Sequence, residues 1–243
     1  MSDAIECKKL NKSYFSHPVL RDVSLTVPEG GFFGLVGMNG SGKSTLIKSI
    51  LDLIAIDSGE IRLFGKSHRR VSSRSQVAYL PDRFAPPAHL KCRDFIRYML
   101  ELHASRYSAD AVHRMLDALE LDRVTLNAPV SSLSKGMTQK LGIASCMLSG
   151  KSLLILDEPM SGLDPKARYL FKQQLFELKR KGVTLFFSSH VLADVDELSD
   201  QMAVLHQSRI VFNGTSHAFK AAYNEDGLER AYMKCVNDAA AIL

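Results

Sequence analysis

The stretch Gly37-Met38-Asn39-Gly40-Ser41-Gly42-Lys43-Ser44-Thr45 decides the reading of this chain. It matches the pattern G-x-x-x-x-G-K-[ST]. The apolar run Phe32 to Val36 precedes it and suits a buried parallel strand. After it, Leu46, Ile47, Ile50, Leu51 and Ile54 recur at helical spacing, which predicts a helix over 45–54. This strand–loop–helix context gives the pattern its physical meaning. Glycines at 37, 40 and 42 let the backbone curl so that successive N–H groups point inward. That nest, with the helix N-terminus behind it, binds phosphate oxygens. Lys43 supplies a point charge for β- and γ-phosphates, and the Ser44 hydroxyl is a ligand for Mg²⁺. Asn39, Ser41 and Thr45 complete the nucleotide-binding stretch.

A second motif, Leu153-Leu154-Ile155-Leu156-Asp157-Glu158-Pro159, places two carboxylates after four apolar residues. Such a run reads as a buried strand with the acids at its C-terminal tip, where open α/β sheets bind ligands. Asp157 fits the role of holding Mg²⁺. Glu158, one residue on, points the other way if the strand continues, and is placed to polarise an attacking water as general base. A guanine-specific enzyme would need an N-K-x-D box. The Asn-Lys at Asn11-Lys12-Ser13-Tyr14 lies upstream of the loop and lacks the Asp.

Working outward, Val23, Leu25 and Val27 alternate with Ser24 and Thr26, and Ile61 alternates with Leu63 after the turn Asp57-Ser58-Gly59. From Pro86 to Gly150 the spacing turns helical. Phe95, Tyr98, Met99 and Leu102 form one stripe, Met115, Leu116 and Leu119 a second, and Leu141, Ala144 and Leu148 a third. Asp164-Pro165 opens a helix, with Asp as N-cap and Pro at the first helical position, and Gly182 suits its end. Val183 to Phe187 reads as a strand, and Met202–Leu205 with Ile210–Phe212 as a closing hairpin. Leu228, Ala231, Tyr232 and Cys235 mark a short amphipathic helix in the tail.

Strands alternating with helices define an α/β fold with a mostly parallel sheet. The expected organisation is one domain over 1–243. Residues 1–85 and 151–215 form the phosphate-binding core, 86–150 an inserted helical subdomain, and 216–243 a short tail.

Composition narrows the class. Thirty-one Lys+Arg against 26 Asp+Glu give a net charge of +5, scattered along the chain. His68-Arg69-Arg70 is the densest basic cluster and reads as a solvated loop; a nucleic-acid site usually needs a longer run. Cys7, Cys92, Cys146 and Cys235 form no C-x-x-C pair, so reduced thiols fit better than a zinc site or disulfides. The N-terminal Met1-Ser2-Asp3-Ala4-Ile5 has no signal-like apolar region, and no stretch approaches the ~18 apolar residues of a spanning helix.

Between the two motifs lies Leu133-Ser134-Lys135-Gly136-Met137-Thr138-Gln139, opening a helix. Ser134 can cap that helix, and the exposed N-terminus is an anion site; capping alone remains the simpler reading of these residues. The stretch resembles the LSGGQ signature of the ATP-binding-cassette (ABC) family. The likeness runs on in the family's order over roughly residues 3–215. Tyr14 matches the aromatic that stacks on adenine, Ser161-Gly162-Leu163-Asp164 the D-loop, and His190 the switch histidine at the γ-phosphate. Taken singly, Tyr14 reads as a packed edge aromatic and His190 as a capped or solvated histidine.

This resemblance implies a P-loop NTPase core, an N-terminal antiparallel β subdomain and the helical insertion. It implies ATP and Mg²⁺ as ligands and a head-to-tail dimer, of two copies or of this chain with a related one. In that dimer the loop of one subunit faces Ser134, Lys135, Gly136 and Met137 of the other across ATP. It further implies an integral membrane permease subunit as partner, a peripheral place on the cytoplasmic face of the membrane, and no nucleic-acid role.

Three positions depart from the family pattern. Val77 to Arg83 reads VAYLPDR, with Asp82 where the family carries Gln; Asp82 can still serve as a Mg²⁺ ligand but cannot donate a hydrogen bond when ionised. Lys135 stands where the signature has its first Gly, and Met137 where it has Gln. LSKGM, SGLDP and SSHVLADVDELSD look like the ABC-2 exporter branch. The rival reading is a soluble nucleotide-gated clamp without transport. Clamps of that kind carry two cassettes or long coiled coils, and this sequence has one phosphate loop and no heptad run between Lys43 and Asp157.

Overall fold

The structure is a computed structural model that describes residues 2–241. Its first strands, β1 (Asp3–Tyr14) and β2 (His17–Pro28), pair antiparallel as a long hairpin. The alternation read from the sequence is realised: Val23, Leu25 and Val27 are buried while Ser24 and Thr26 face solvent. β3 (Phe32–Val36) is buried along its whole length and runs into the phosphate loop and α1 (Lys43–Ile50).

α1 is shorter than the apolar spacing predicts. Asp52 takes a left-handed conformation with φ 58°. The Leu53 N–H then donates to the Lys48 carbonyl at 2.9 Å and the Asp52 N–H to the Ser49 carbonyl at 3.1 Å. This pair of bonds closes the helix in a Schellman motif, so Ile54 lies outside it. β4 (Ser58–Leu63) and the two-residue β5 (Lys66–Ser67) complete the antiparallel sheet β2-β1-β4-β5. The cluster expected to be a solvated loop is only partly so. His68 is 4% exposed, its Nδ1 facing the Ile61 carbonyl at 3.1 Å, while Arg69 and Arg70 are exposed.

Contacts divide the chain into two compact units, one of Met1–Ser75 with Thr184–Leu243 and one of Gln76–Val183. The second unit opens with β6 (Val77–Leu80), followed by α2 (Cys92–Leu102), α3 (Ala109–Ala118), α4 (Lys135–Leu148), β7 (Leu153–Asp157) and α5 (Pro165–Arg180). β6 and β7 are parallel, with Leu80 opposite Leu156. Their helical neighbours therefore belong to a body wider than the stretch 86–150.

The stripe expected on α2 is displaced. Cys92, Phe95, Ile96 and Leu100 are buried at i, i+3, i+4 and i+8, whereas Tyr98 is 48% and Leu102 63% exposed. Phe95 belongs to both candidate faces, and the face with Ile96 and Leu100 wins because it is continuous across three turns. Phe84 is held inside this unit, its ring edge-on to Phe95 at 5.7 Å. α5 begins as its sequence requires: Asp164 Oδ1 accepts from the Ala167 N–H at 2.8 Å and Pro165 follows.

The chain returns to the first unit with β8 (Thr184–Ser189), α6 (Leu192–Leu198), β9 (Gln201–His206), β10 (Arg209–Gly214), α7 (Ser216–Ala222) and α8 (Leu228–Ala241). β8 and β9 flank β3 in parallel, and β10 pairs antiparallel with β9 through a turn with Gln207 and Ser208 both at positive φ. Positive φ at both turn residues is the geometry that two-residue hairpins favour. The fold is thus α/β, with parallel strands around β3 and at β6–β7, an antiparallel β subdomain and a helical segment. α8 buries Leu228, Ala231, Tyr232 and Cys235, the face read from the sequence.

Candidate functional site

The candidate residues fall into two sets, one in each unit. The first unit holds Tyr14, the loop 37–45 and His190. In the loop, Gly40 and Gly42 have φ of 83° and 108°. A Cβ at Gly37 would stand 2.4 Å from Ser41 Oγ and 2.6 Å from the Leu205 carbonyl oxygen; one at Gly42 would stand 2.8 Å from the Val19 carbonyl oxygen. The backbone cradle exists only because those side chains are missing. Gly42 caps α1, which has no side-chain cap and no acidic residue in its first turn, so its leading N–H groups suit an anion. Lys43 is buried, with Nζ donating to the Gly37 carbonyl at 2.7 Å and reaching the Met38 carbonyl at 3.4 Å. Ser41 Oγ is buried without a hydrogen-bond partner among the described residues. An orphaned hydroxyl, a poised ammonium and a glycine cradle fit a phosphate group.

His190 follows the buried β8 and is itself exposed. Together with Gly37, Met38, Asn39, Leu192 and Tyr232 it lines one cavity of about 290 Å³, so the structure brings His190 to the loop. Tyr14, 43% exposed, ends β1 with the Lys12 ammonium 5.4 Å from its ring centroid. Asp57 fixes this corner. It accepts from the Ser13 N–H at 2.6 Å and pairs with Lys12 at 3.4 Å, and the Ser13 bond holds its carboxyl below the usual carboxylate range.

The second unit holds Asp82, the signature, Asp157, Glu158 and Asp164. Asp157 ends β7 and is 1% exposed. One expectation fails here. Glu158 does not continue an extended strand; its φ is 49°, and its carbonyl accepts from the Ser161 N–H at 3.0 Å in a turn. A non-glycine residue in this region costs about 1–3 kcal/mol, a strain typical of functional sites. The parallel register sets Asp82 two residues beyond Leu80 and Glu158 two beyond Leu156, at neighbouring strand tips. Tyr79 registers this juxtaposition. Burial first, then the charges of Asp157 and Asp82, push its hydroxyl up to about 12.

Ser134 does cap α4, its Oγ accepting from the Met137 N–H at 3.2 Å. Gly136 lets the helix start lie against the 160s turn: a Cβ there would meet the Gly162 carbonyl oxygen at 3.3 Å. The Lys135 stem covers Gly162, and Lys135, Asp82, Gln139 and Ser161 share a cavity of about 420 Å³. Asp164 serves as the α5 cap. The Ala167 N–H, and secondarily Lys140, hold its carboxyl low.

Gln139 is a residue the sequence reading passed over. It is buried, and its Nε2 donates to the Pro159 carbonyl at 2.9 Å, tying the signature helix to the turn after Asp157-Glu158. The available signal was a polar residue three positions after Gly136, where the buried face of α4 begins. The four cysteines are unpaired and buried. Burial raises all four thiols, Cys146 to about 12, which leaves them inert. No helix among the described residues is long and apolar enough to cross a membrane.

These features define an α/β fold with a glycine cradle suited to phosphate, and comparison with known proteins gives the family. The family described as ABC transporter matches residues 20–161. The chain belongs to the ABC transporter family. It is 34% identical over 221 residues to the Nod factor export ATP-binding protein I of Sinorhizobium fredii, covering 88% of this chain and 64% of that protein. It is 30% identical over 207 residues to the lantibiotic transport ATP-binding protein SrtF of Streptococcus pyogenes, covering 85% and 89%. A solved structure of an ATP binding subunit of an ABC transporter superposes with a TM-score of 0.87 at 30% identity, covering 96% of this chain and 99% of that one. The chain spans 59% to 64% of the length of several of the curated relatives that it matches.

Proposed function

We propose that this chain binds and hydrolyses ATP as the motor subunit of an ABC-2 type exporter. The observation that carries the reading is the phosphate loop: the glycine cradle, the buried Lys43 and the orphaned Ser41 hydroxyl at an uncapped helix start. The two Nod factor export relatives support the direction of transport.

In this reading the loop N–H groups and Lys43 hold the β- and γ-phosphates, and Tyr14 stacks on adenine. Glu158 accepts a proton from the attacking water, and His190 contacts the γ-phosphate beside the loop. Ser44 and Asp157, with Asp82 as a further carboxylate, would hold Mg²⁺. Their hard oxygens suit that ion, whose chemistry is to neutralise phosphate charge. Ser134, Lys135, Gly136 and Met137 serve the ATP of a second subunit, identical or related, with Asp164 in the D-loop beside them. Removal of the γ-phosphate loses charge-assisted bonds across that interface and opens the dimer.

The organisation we adopt is a core of 1–85 and 151–215, a signature subdomain of 86–150 and a tail of 216–243. An integral membrane permease holds the chain on the cytoplasmic face. Its cytoplasmic element meets the helical unit at the Asp82 loop and at the exposed Tyr98 and Leu102 of α2. Phe84, packed inward on Phe95, supports that surface from within.

The test is an affinity pull-down of the tagged chain from gently solubilised membranes, with ATPase assays on what is recovered. A stoichiometric multi-spanning partner that raises ATP turnover is the expected result. Recovery of soluble partners only, with turnover intact, would transfer the chemistry to a nucleotide-gated clamp.

A further inference from the structure

The tail helix reaches the phosphate loop. Tyr232 of α8 is 8% exposed and lines the same 290 Å³ cavity as Gly37, Met38, Asn39 and His190. Its hydroxyl has no hydrogen-bond partner among the described residues. Burial pushes that hydroxyl up, and the Met38 backbone partly opposes the shift. A buried phenol with an unused donor and acceptor is costly, and Tyr usually finds a partner when buried.

The other side of the same segment holds Lys43. Its ammonium rests on the Gly37 and Met38 carbonyl oxygens. Met38 therefore stands between two side chains from distant parts of the sequence: Lys43, which reaches its carbonyl, and Tyr232, which lines the same cavity. α8 also packs on α6, the helix that starts just after His190. One short helix thus contacts the loop neck and the element that carries the switch histidine.

A phosphate group competes for the Lys43 ammonium with the advantage of full charge, since charge-assisted bonds are about twice as strong as neutral ones. Transfer of Nζ to phosphate releases the two carbonyls and lets the neck peptides shift. We propose that Tyr232 is a positioning residue that couples α8 to nucleotide binding, its hydroxyl accepting from the Met38 N–H once Lys43 has moved to phosphate. The inference rests on the phosphate loop binding ATP. Coupling of this kind is reciprocal: nucleotide must tighten α8 as much as α8 tightens nucleotide. The tail is then a reporter of nucleotide state and a handle by which a partner could alter it.

The experiment uses the full chain, titrated with ADP and Mg²⁺, and amide hydrogen exchange of residues 228–238 with and without nucleotide. Tyr232→Phe keeps the ring and removes the hydroxyl. The expected result is a binding constant weakened about fivefold, the worth of one neutral hydrogen bond, with an unchanged melting temperature in the absence of nucleotide. In the wild type, nucleotide slows exchange in α8; in Tyr232→Phe it does not. Unchanged affinity in the variant, or α8 exchange indifferent to nucleotide in the wild type, would overturn the coupling. The second readout stands even if the variant folds poorly. A wild-type chain that binds no nucleotide would sink the phosphate-loop reading itself, and the coupling with it.

Discussion

The phosphate loop and the acidic tip of β7 both place chemistry after a buried strand, yet they bend the chain by opposite means. In the loop, positive φ falls on Gly40 and Gly42, and space for the backbone comes from absent Cβ atoms at Gly37 and Gly42. At the tip, positive φ falls on Glu158, which keeps a full side chain. A loop that binds through N–H groups can dispense with side chains. A position proposed to supply a carboxylate cannot be glycine, so the strain stays on Glu158 and the surrounding turn holds it.

The widest separation between the two regions is expected from Lys43→Ala and Glu158→Gln. The first abolishes nucleotide binding in an equilibrium titration. The second leaves binding intact and lowers turnover about 10²–10⁴-fold, the usual worth of a general base. Near-normal ATPase activity in Glu158→Gln would end the general-base assignment and the contrast built on it.

Gly37→Ala should break the loop by sterics alone. The new methyl meets Ser41 Oγ and a backbone carbonyl that cannot turn away. The expected cost is about 1–3 kcal/mol in a denaturant melt, with weaker nucleotide binding. A variant as stable as the wild type would mean that the cradle is softer than its geometry.

Gln139→Leu addresses the acidic side. It deprives the buried Pro159 carbonyl of its donor at a cost of about 1–3 kcal/mol. Loss of turnover beyond loss of stability is the expected mark of a tie that orients Glu158. Equal kcat in variant and wild type would reduce Gln139 to packing.

The smallest effect should come from Asp164→Ala, which uncaps α5. The Ala167 N–H lowers the Asp164 carboxyl from its ordinary 3.8. Its contribution is therefore complete above that value and is lost as pH falls through the lower folded one. The small melting-temperature gap between wild type and variant should close on acidification; a gap that widens would contradict the sign.

Much of the site was legible because its residues act through local backbone. The loop, the Asp164-Pro165 start and the Ser134 cap each depend on near neighbours in sequence, and each forms as the residue types dictate. Errors arose where two local readings competed. The spacing on α2 admitted a face with Tyr98 and Leu102, and contacts with the rest of the helical unit selected Ile96 and Leu100. The apolar run after Lys43 ran on to Ile54, but Asp52 accepted a left-handed turn and closed the helix. His68, grouped with two arginines, went inside because the Ile61 carbonyl accommodates its ring nitrogen.

The sequence alone determined which residues are the candidates for the chemistry: a contiguous glycine cradle with Lys43 and Ser44, the Asp157-Glu158 pair, and the order of motifs along the chain. These are short-range patterns, and local sterics and hydrogen bonding suffice to specify them. Only the tertiary structure decided which helix faces are buried, that Gln139 ties to Pro159, and that Tyr232 stands against a loop almost two hundred residues earlier. Those contacts depend on how distant apolar surfaces exclude water together, and no local spacing encodes that choice.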